Sequence, residues 1–190
     1  MKILFCGGGA LGSHALYLAR DLDQELAVVD FDRVETKNLA SQWFVKQMVG
    51  KNKATALKMQ LLNFYDVKLR DYAVKLTALN VDTLLGEADL VIECFDNAEG
   101  RRVVQNHVRA QKRPCLHAGL AANGEFGAVR WDDSFTIDEE GVSGQATCDG
   151  RGFLPLILRV SSALVASIQF YLADSRQVNW NISPRHAECF

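Results

Sequence analysis

The chain has 190 residues, 48% of them apolar and 23% charged, with a formal net charge of -2. That length supports one domain with a sizeable core, and a near-neutral charge without a basic stripe gives nonspecific nucleic-acid binding no electrostatic support. No uninterrupted apolar run approaches the roughly 20 residues of a membrane span, and the apolar start is cut off at Gly7, too early for a signal peptide, so a cytoplasmic location is expected.

Residues 3–6 read as a short buried strand. Gly7-Gly8-Gly9-Ala10-Leu11-Gly12 follows as a G-x-G-x-x-G turn into a helix over 10–21, whose Leu11, Ala15, Leu18 and Leu22 share one stripe. Gly7 permits the tight turn, Gly9 lets a backbone approach phosphate, and Gly12 allows close helix packing. The helix N-terminus behind them favours an anion. A second buried strand over 26–30 ends in Asp30, 18 positions after Gly12, where an acid that holds a ribose is expected. Asp32 lies two residues on, so both carboxylates share a side if the strand persists.

Residues 31–50 read as irregular and polar. A helix is expected over 52–64, a strand over 68–77, a helical turn over 81–85, a strand over 88–94, a helix over 98–111 and a strand over 114–118. This alternation predicts an α/β fold with a doubly wound (Rossmann-like), mostly parallel sheet and helices on both faces. Ligands of such sheets sit at the carboxyl ends of the strands. The glycine turn, residues 30–38, Asp96 and residues 117–119 all fall there.

From Glu125 the pattern changes. A strand over 126–131 reads as antiparallel, and an acidic, Gly-rich stretch over 131–151 reads as a mobile loop. A broad-faced apolar helix over 153–172 suits a core or a dimer interface, and 177–182 reads as a last edge strand. The whole, 1–190, reads as one domain. The five cysteines (Cys6, Cys94, Cys115, Cys148, Cys189) include no C-x-x-C pair, so neither zinc nor a disulfide framework is expected. His14 and His117 read as structural or pocket-lining, and Cys189 as a terminal thiol without a role.

Residues 29–39, Val-Asp-Phe-Asp-Arg-Val-Glu-Thr-Lys-Asn-Leu, resemble the D-x-D-x-V-x-x-x-N-L element of the ThiF/MoeB/HesA superfamily of E1-like, ubiquitin-activating-type enzymes. Three further segments agree in order. Val49-Gly50-Lys51-Asn52-Lys53 resembles V-G-x-x-K. Glu93-Cys94-Phe95-Asp96-Asn97 resembles D-x-x-D-N, with Arg101 placed like a common downstream arginine. Residues 148–155 resemble C-x-x-x-G-V-x-x-P before the long helix. The resemblance covers about residues 1–173 and implies an adenylation domain. It would use ATP and Mg²⁺ to adenylate the C-terminal glycine of a small ubiquitin-like or sulfur-carrier protein ending in Gly-Gly. It implies ribose contacts from Asp30 and Asp32, phosphate contacts from Asn38 and Lys53, Mg²⁺ at Asp96, a loop shaped by Asn97, and a homodimer. Asp96 also reads as an N-cap for the helix that follows.

Three departures from the family pattern bear on activity. Ser41 stands where N-L-x-R-Q carries an arginine, and an arginine on a transferring phosphate is worth about 10³- to 10⁵-fold in rate. Lys37, Lys46 and Lys51 are nearby substitutes, but point charges rather than forks. Zinc-binding C-x-x-C pairs are missing, and the carboxyl-terminal β region is reduced. Cys148 reads either as a thioester- or persulfide-forming thiol, helped by Arg151 and the following helix, or as a plain loop thiol. A catalytically weak nucleotide-binding scaffold is therefore the second reading. An NAD-dependent oxidoreductase, resting on Gly7–Gly12 and Asp30 alone, is the third, and an enzyme that adenylates a modified tRNA base is the fourth.

Overall fold

The computed structural model describes residues 1–137 and 152–190. Side-chain alternation in the first strand sets up its layers. In β1 (Lys2–Cys6), Ile3 and Phe5 enter one core while Leu4 and Cys6 enter the other. Both faces are covered, so the strand carries no polar stripe. β2 (Glu25–Val29), β3 (Leu69–Tyr72), β4 (Leu90–Glu93) and β5 (Cys115–Leu120) run parallel to it. β6 (Gly127–Trp131), β7 (Trp180–Ile182) and β8 (Ala187–Cys189) continue antiparallel, in the order β3-β2-β1-β4-β5-β6-β7-β8.

The larger core lies against α1 (Ala10–Leu18), α2 (Lys53–Tyr65) and α5 (Leu154–Asp174), and the smaller against α3 (Val81–Leu85) and α4 (Ala98–Ala110). Asparagines open two of these helices. Asn52 Oδ1 accepts from Thr55 N–H at 3.2 Å, and Asn97 Oδ1 from Gly100 N–H at 2.8 Å. α2 and α5 end at Asp66 and Ser175, both left-handed. Pro155 sits in the first turn of α5, where its missing N–H costs nothing.

The doubly wound architecture holds, with local corrections. The first helix stops at Leu18 and tightens into a 3₁₀ turn, Ala19–Asp21. Residues 31–50 contain two 3₁₀ turns, Thr36–Ala40 and Lys46–Met48. The strand expected over 68–77 is only four residues long. The expected edge strand is interior, because β8 pairs outside it and carries exposed Cys189.

α5 also corrects the membrane reading. It has the length and composition of a bilayer span, although Arg159 and three serines interrupt its apolar run. Leu156, Ile157, Val160, Leu164 and Ile168 are buried in the larger core, and Ser161 Oγ donates to Leu11 O at 3.2 Å. It is a core helix. The apolar face is narrower than the broad one expected, because Leu154 and Leu158 are exposed.

A Cβ at Gly12 would stand 1.9 Å from Gly7 O, whereas one at Gly9 would meet nothing within 4 Å. Gly12→Ala is therefore expected to cost about 1–3 kcal/mol, read from the urea midpoint. Gly9→Ala is expected to change it by less than about 1 kcal/mol.

Candidate active site

Cys6 is level with Val29 and with Glu93 across the sheet, so the chain leaves three strands at one height. Gly7 N–H donates to Val29 O and Cys94 N–H to Cys6 O, each at 2.9 Å. These bonds bring the glycine turn, Asp30 and the β4 exit into one crevice. Gly7 adopts φ +102°, and a Cβ there would lie 3.1 Å from Cys94 O, so only glycine fits. Gly12 is needed against the carbonyl of Gly7, within the turn itself. Gly9 opens α1 without a side-chain cap, leaving the first backbone N–H groups of the helix facing the open side.

Asp30 is 7% exposed. Its Oδ2 accepts from Gly8 N–H at 2.7 Å and its Oδ1 from Asp32 N–H at 2.8 Å. Asn52 Nδ2 donates to the main-chain oxygens of Asp30 (2.9 Å) and Asp32 (3.1 Å), so the residue that caps α2 also fixes the acid pair. Lys53 follows that cap. Its N–H donates to Asp32 O at 2.8 Å and its Nζ to Asp32 Oδ2 at 2.9 Å. The ammonium is buried while the Asp32 side chain is half exposed. Burial pushes the Asp30 carboxyl above its ordinary value, against the downward pull of Lys53 and the two N–H bonds. Burial opposes charge on Lys53, yet Asp30, Asp32 and Asp96 together hold its value up. Lys53 is thus no ordinary exposed helix lysine. Arg33 turns away to Gly50 O at 2.8 Å instead of pairing with the acids.

Asp96 is exposed just beyond β4. The capping role read for it belongs to Asn97, whose Nδ2 reaches Asp96 Oδ1 at 3.4 Å, so starting the helix does not consume the Asp96 carboxylate. Asn38 is buried, and its Oδ1 accepts from Glu35 N–H at 2.8 Å in a reciprocal cap of the Thr36–Ala40 turn. That is a structural task in addition to the phosphate contact the resemblance implies. Ser41 is 1% exposed, with His14 Nε2 3.2 Å from its carbonyl oxygen. Burial lowers the His14 ring value, against that bond. Cys148 and Arg151 lie outside the described residues.

One cluster escaped sequence reasoning. His117 is buried, with Nδ1 3.1 Å from Glu93 Oε2 and Nε2 3.1 Å from Asp132 Oδ1. Its ring stacks on Phe135 at 4.0 Å. Glu93 Oε1 also accepts from Phe95 N–H at 2.5 Å, and Arg101 Nε donates to Phe95 O at 2.9 Å. The available signal was two ionisable residues in otherwise apolar strands, since a buried charge needs a partner. Glu93 and His117 are level in the β4–β5 register. Asp132 lies across the antiparallel turn-back, which no local pattern announces.

Among the described residues no three His, Cys, Asp or Glu side chains form a metal cage. A single strand-end carboxylate such as Asp96 instead fits Mg²⁺ that shares its ligands with phosphates and water. Concavities of about 460 Å³ and 320 Å³ lie elsewhere, the first over the amino-terminal halves of β1–β3 and the second beside His14, Gln42 and Trp43. Neither is lined by Asp30, Asp32, Lys53 or Asp96. The charged residues occupy an open crevice at the strand ends, where doubly wound sheets bind ligands.

The ThiF family profile matches residues 1–172. The chain is 33% identical over 136 residues to "Adenylyltransferase and sulfurtransferase UBA4" of Lodderomyces elongisporus, covering 69% of this chain and 30% of that protein. It is 27% identical over 178 residues to "Sulfur carrier protein ThiS adenylyltransferase" of Bacillus subtilis, covering 84% and 51%. The chain therefore spans about half or less of these relatives. Among solved structures, Escherichia coli MccB with MccA-N7isoASN superposes with a TM-score of 0.79 at 17% identity, covering all of this chain and 63% of that one. MccB with ATP gives 0.77 at 17%, covering all of this chain and 62% of that one.

The raised carboxyl of Asp30 takes up a proton on folding. Asp30 therefore favours the native state at low pH and opposes it as pH climbs from the ordinary value of 3.8 through the raised one. Lys53 offsets that cost. Lys53→Met is expected to be nearly neutral at about pH 4 and to lose about 2 kcal/mol at about pH 7. That is less than a fully buried pair loses, because Asp32 is half exposed. Denaturant midpoints across this range check it.

Proposed function

The chain belongs to the ThiF family, and on that premise we propose that it adenylates the C-terminal glycine carboxylate of a small ubiquitin-like or sulfur-carrier protein, consuming ATP and releasing pyrophosphate. The observation that carries this reading is the buried Lys53 ammonium held by Asp30 and Asp32 beside the glycine turn, with Asp96 close enough to raise it further. A plain dinucleotide reader needs one acid after β2, and has no use for that lysine. Relatives named for sulfur-carrier adenylation and a fold neighbour solved with ATP support the same chemistry.

In this reading Asp30, already fixed by two backbone bonds, and half-exposed Asp32 hold the ribose hydroxyls. The glycine turn and the N-terminus of α1 accept the phosphates. Lys53 exchanges part of its pairing with Asp32 for phosphate oxygens, a task suited to a compact ammonium on a flexible stem. Asn38 holds the 36–40 turn that faces them. Asp96, oriented by Asn97, would hold Mg²⁺, whose chemistry is to neutralise charge on the phosphates. A carboxylate oxygen of the carrier attacks the α-phosphorus while the bond to pyrophosphate breaks. The chain's own contribution is positioning and charge. Adenylation draws nothing from Cys148. The reading includes a homodimer and a cytoplasmic location, and sedimentation tests the former.

Carrier-dependent exchange of labelled pyrophosphate into ATP is the deciding assay. Wild type is expected to exchange with a carrier ending in Gly-Gly, and to bind ATP more tightly than NAD by calorimetry. Absence of exchange with every candidate carrier, despite ATP binding, would remove the enzymatic claim. Asp96→Asn is expected to lower exchange by at least about 100-fold with an unchanged melting temperature, because the side chain is exposed.

Ser41 favours one second reading, a nucleotide-binding scaffold that depends on an active partner. Fast wild-type exchange excludes it. Ser41→Arg is a poor rescue, because the position is buried and bonded to His14 through its carbonyl. An arginine there must leave that space to reach any phosphate.

A further inference from the structure

The adenylation chemistry leaves unused the row Asp132–His117–Glu93. Carboxylates offer only acceptors, so each ring nitrogen of His117 must donate unless a carboxyl holds the proton itself. Such charge-assisted bonds are the strong ones. The far end of the row is immobilised. Asp132 Oδ1 also accepts from Gln105 Nε2 at 3.2 Å and Oδ2 from Arg109 Nε at 2.8 Å, both on α4. Phe135 covers the ring, and its own carbonyl accepts from Gln105 and Arg109 at 3.3 and 3.2 Å.

The near end of the row reaches the site. Glu93, 0% exposed, divides its two oxygens between His117 and Phe95 N–H. Arg101 Nε holds the carbonyl of Phe95 and lies 3.9 Å from Glu93 Oε2. Phe95 is therefore pinned at both its N–H and its carbonyl, and the next residue is Asp96. Arg101 is a cation beside Glu93. If His117 stops donating, Glu93 turns toward Arg101, Phe95 N–H loses its acceptor and Arg101 releases Phe95 O.

We propose that His117 is a positioning residue for Asp96. It acts through Glu93 and the Phe95 peptide to fix the carboxylate that holds a divalent cation, an inference that rests on the adenylation reading above. The side of the ring matters. The donation from Nδ1 toward Glu93 sets the turn, and the donation from Nε2 toward Asp132 only anchors the ring. An asparagine amide nitrogen overlays the Nδ1 position and a glutamine amide nitrogen overlays Nε2, so the two substitutions separate these donations.

Calorimetry of ATP binding, with and without Mg²⁺, tests the proposal on the intact chain. His117→Gln is expected to weaken Mg²⁺-dependent binding about 10- to 100-fold, the range seen when residues that orient a metal ligand are lost, while metal-free ATP affinity changes less than about twofold. His117→Asn is expected to stay within about threefold of wild type in both. Equal losses in the two variants, or wild-type Mg²⁺ dependence in His117→Gln, would overturn the proposal. If His117→Gln does not fold, His117→Asn decides alone, and a tenfold loss there counts against it. A wild type whose ATP binding ignores Mg²⁺ overturns the adenylation reading itself, and this inference with it.

Discussion

One buried ammonium organises the carboxyl end of this sheet. Lys53 sits in a low-dielectric crevice where neither it nor Asp30 is stable alone, and each offsets the desolvation of the other. The pairing needs three segments at one height: the exit of β2, the cap at Asn52 and the glycine turn that donates to Asp30. Asn52 links two of them, because the same side chain opens α2 and binds the carbonyls on either side of Phe31. This half of the crevice is thus preassembled, with half-exposed Asp32 more accessible than Asp30.

The second half of the crevice is built differently. Asp96 is exposed and only a lesser influence on Lys53, and it follows directly on Phe95. Phe95 is held at its N–H by Glu93 and at its carbonyl by Arg101. A rigid acid pair and a hinge-like acid turn face each other across the mouth of β1.

Much of this was legible in the residues. The periodicities over 3–6, 26–30, 81–85 and 98–111 located elements closely, because buried parallel strands and capped helices write strong local signals. Asp30 and Asp32 were legible from spacing to the glycine turn. Lys53 was legible only through family resemblance, since on α2 alone it reads as a surface lysine, and its burial follows from the β2 exit folding back over it. The capping task of Asn38 was not legible, because a capping asparagine and a ligand asparagine look alike in sequence. The His117 row and β8 were not legible. One depends on pairing across an antiparallel turn, and the other is three exposed residues with no alternation to read.

The strand order has a consequence for how the chain is made. β1 precedes the other strands in the chain and is the innermost of the parallel set. It pairs with β2 across some twenty residues and with β4 only after Leu90–Glu93 has been added. One edge of the nascent β1 strand therefore stays unpaired until Leu90–Glu93 has been made, while Ile3 and Phe5 await their covering helices. The β1–β2–β3 half, which also assembles the Asp30–Lys53 pair, can close first and serve as the template on which the Asp96 half docks.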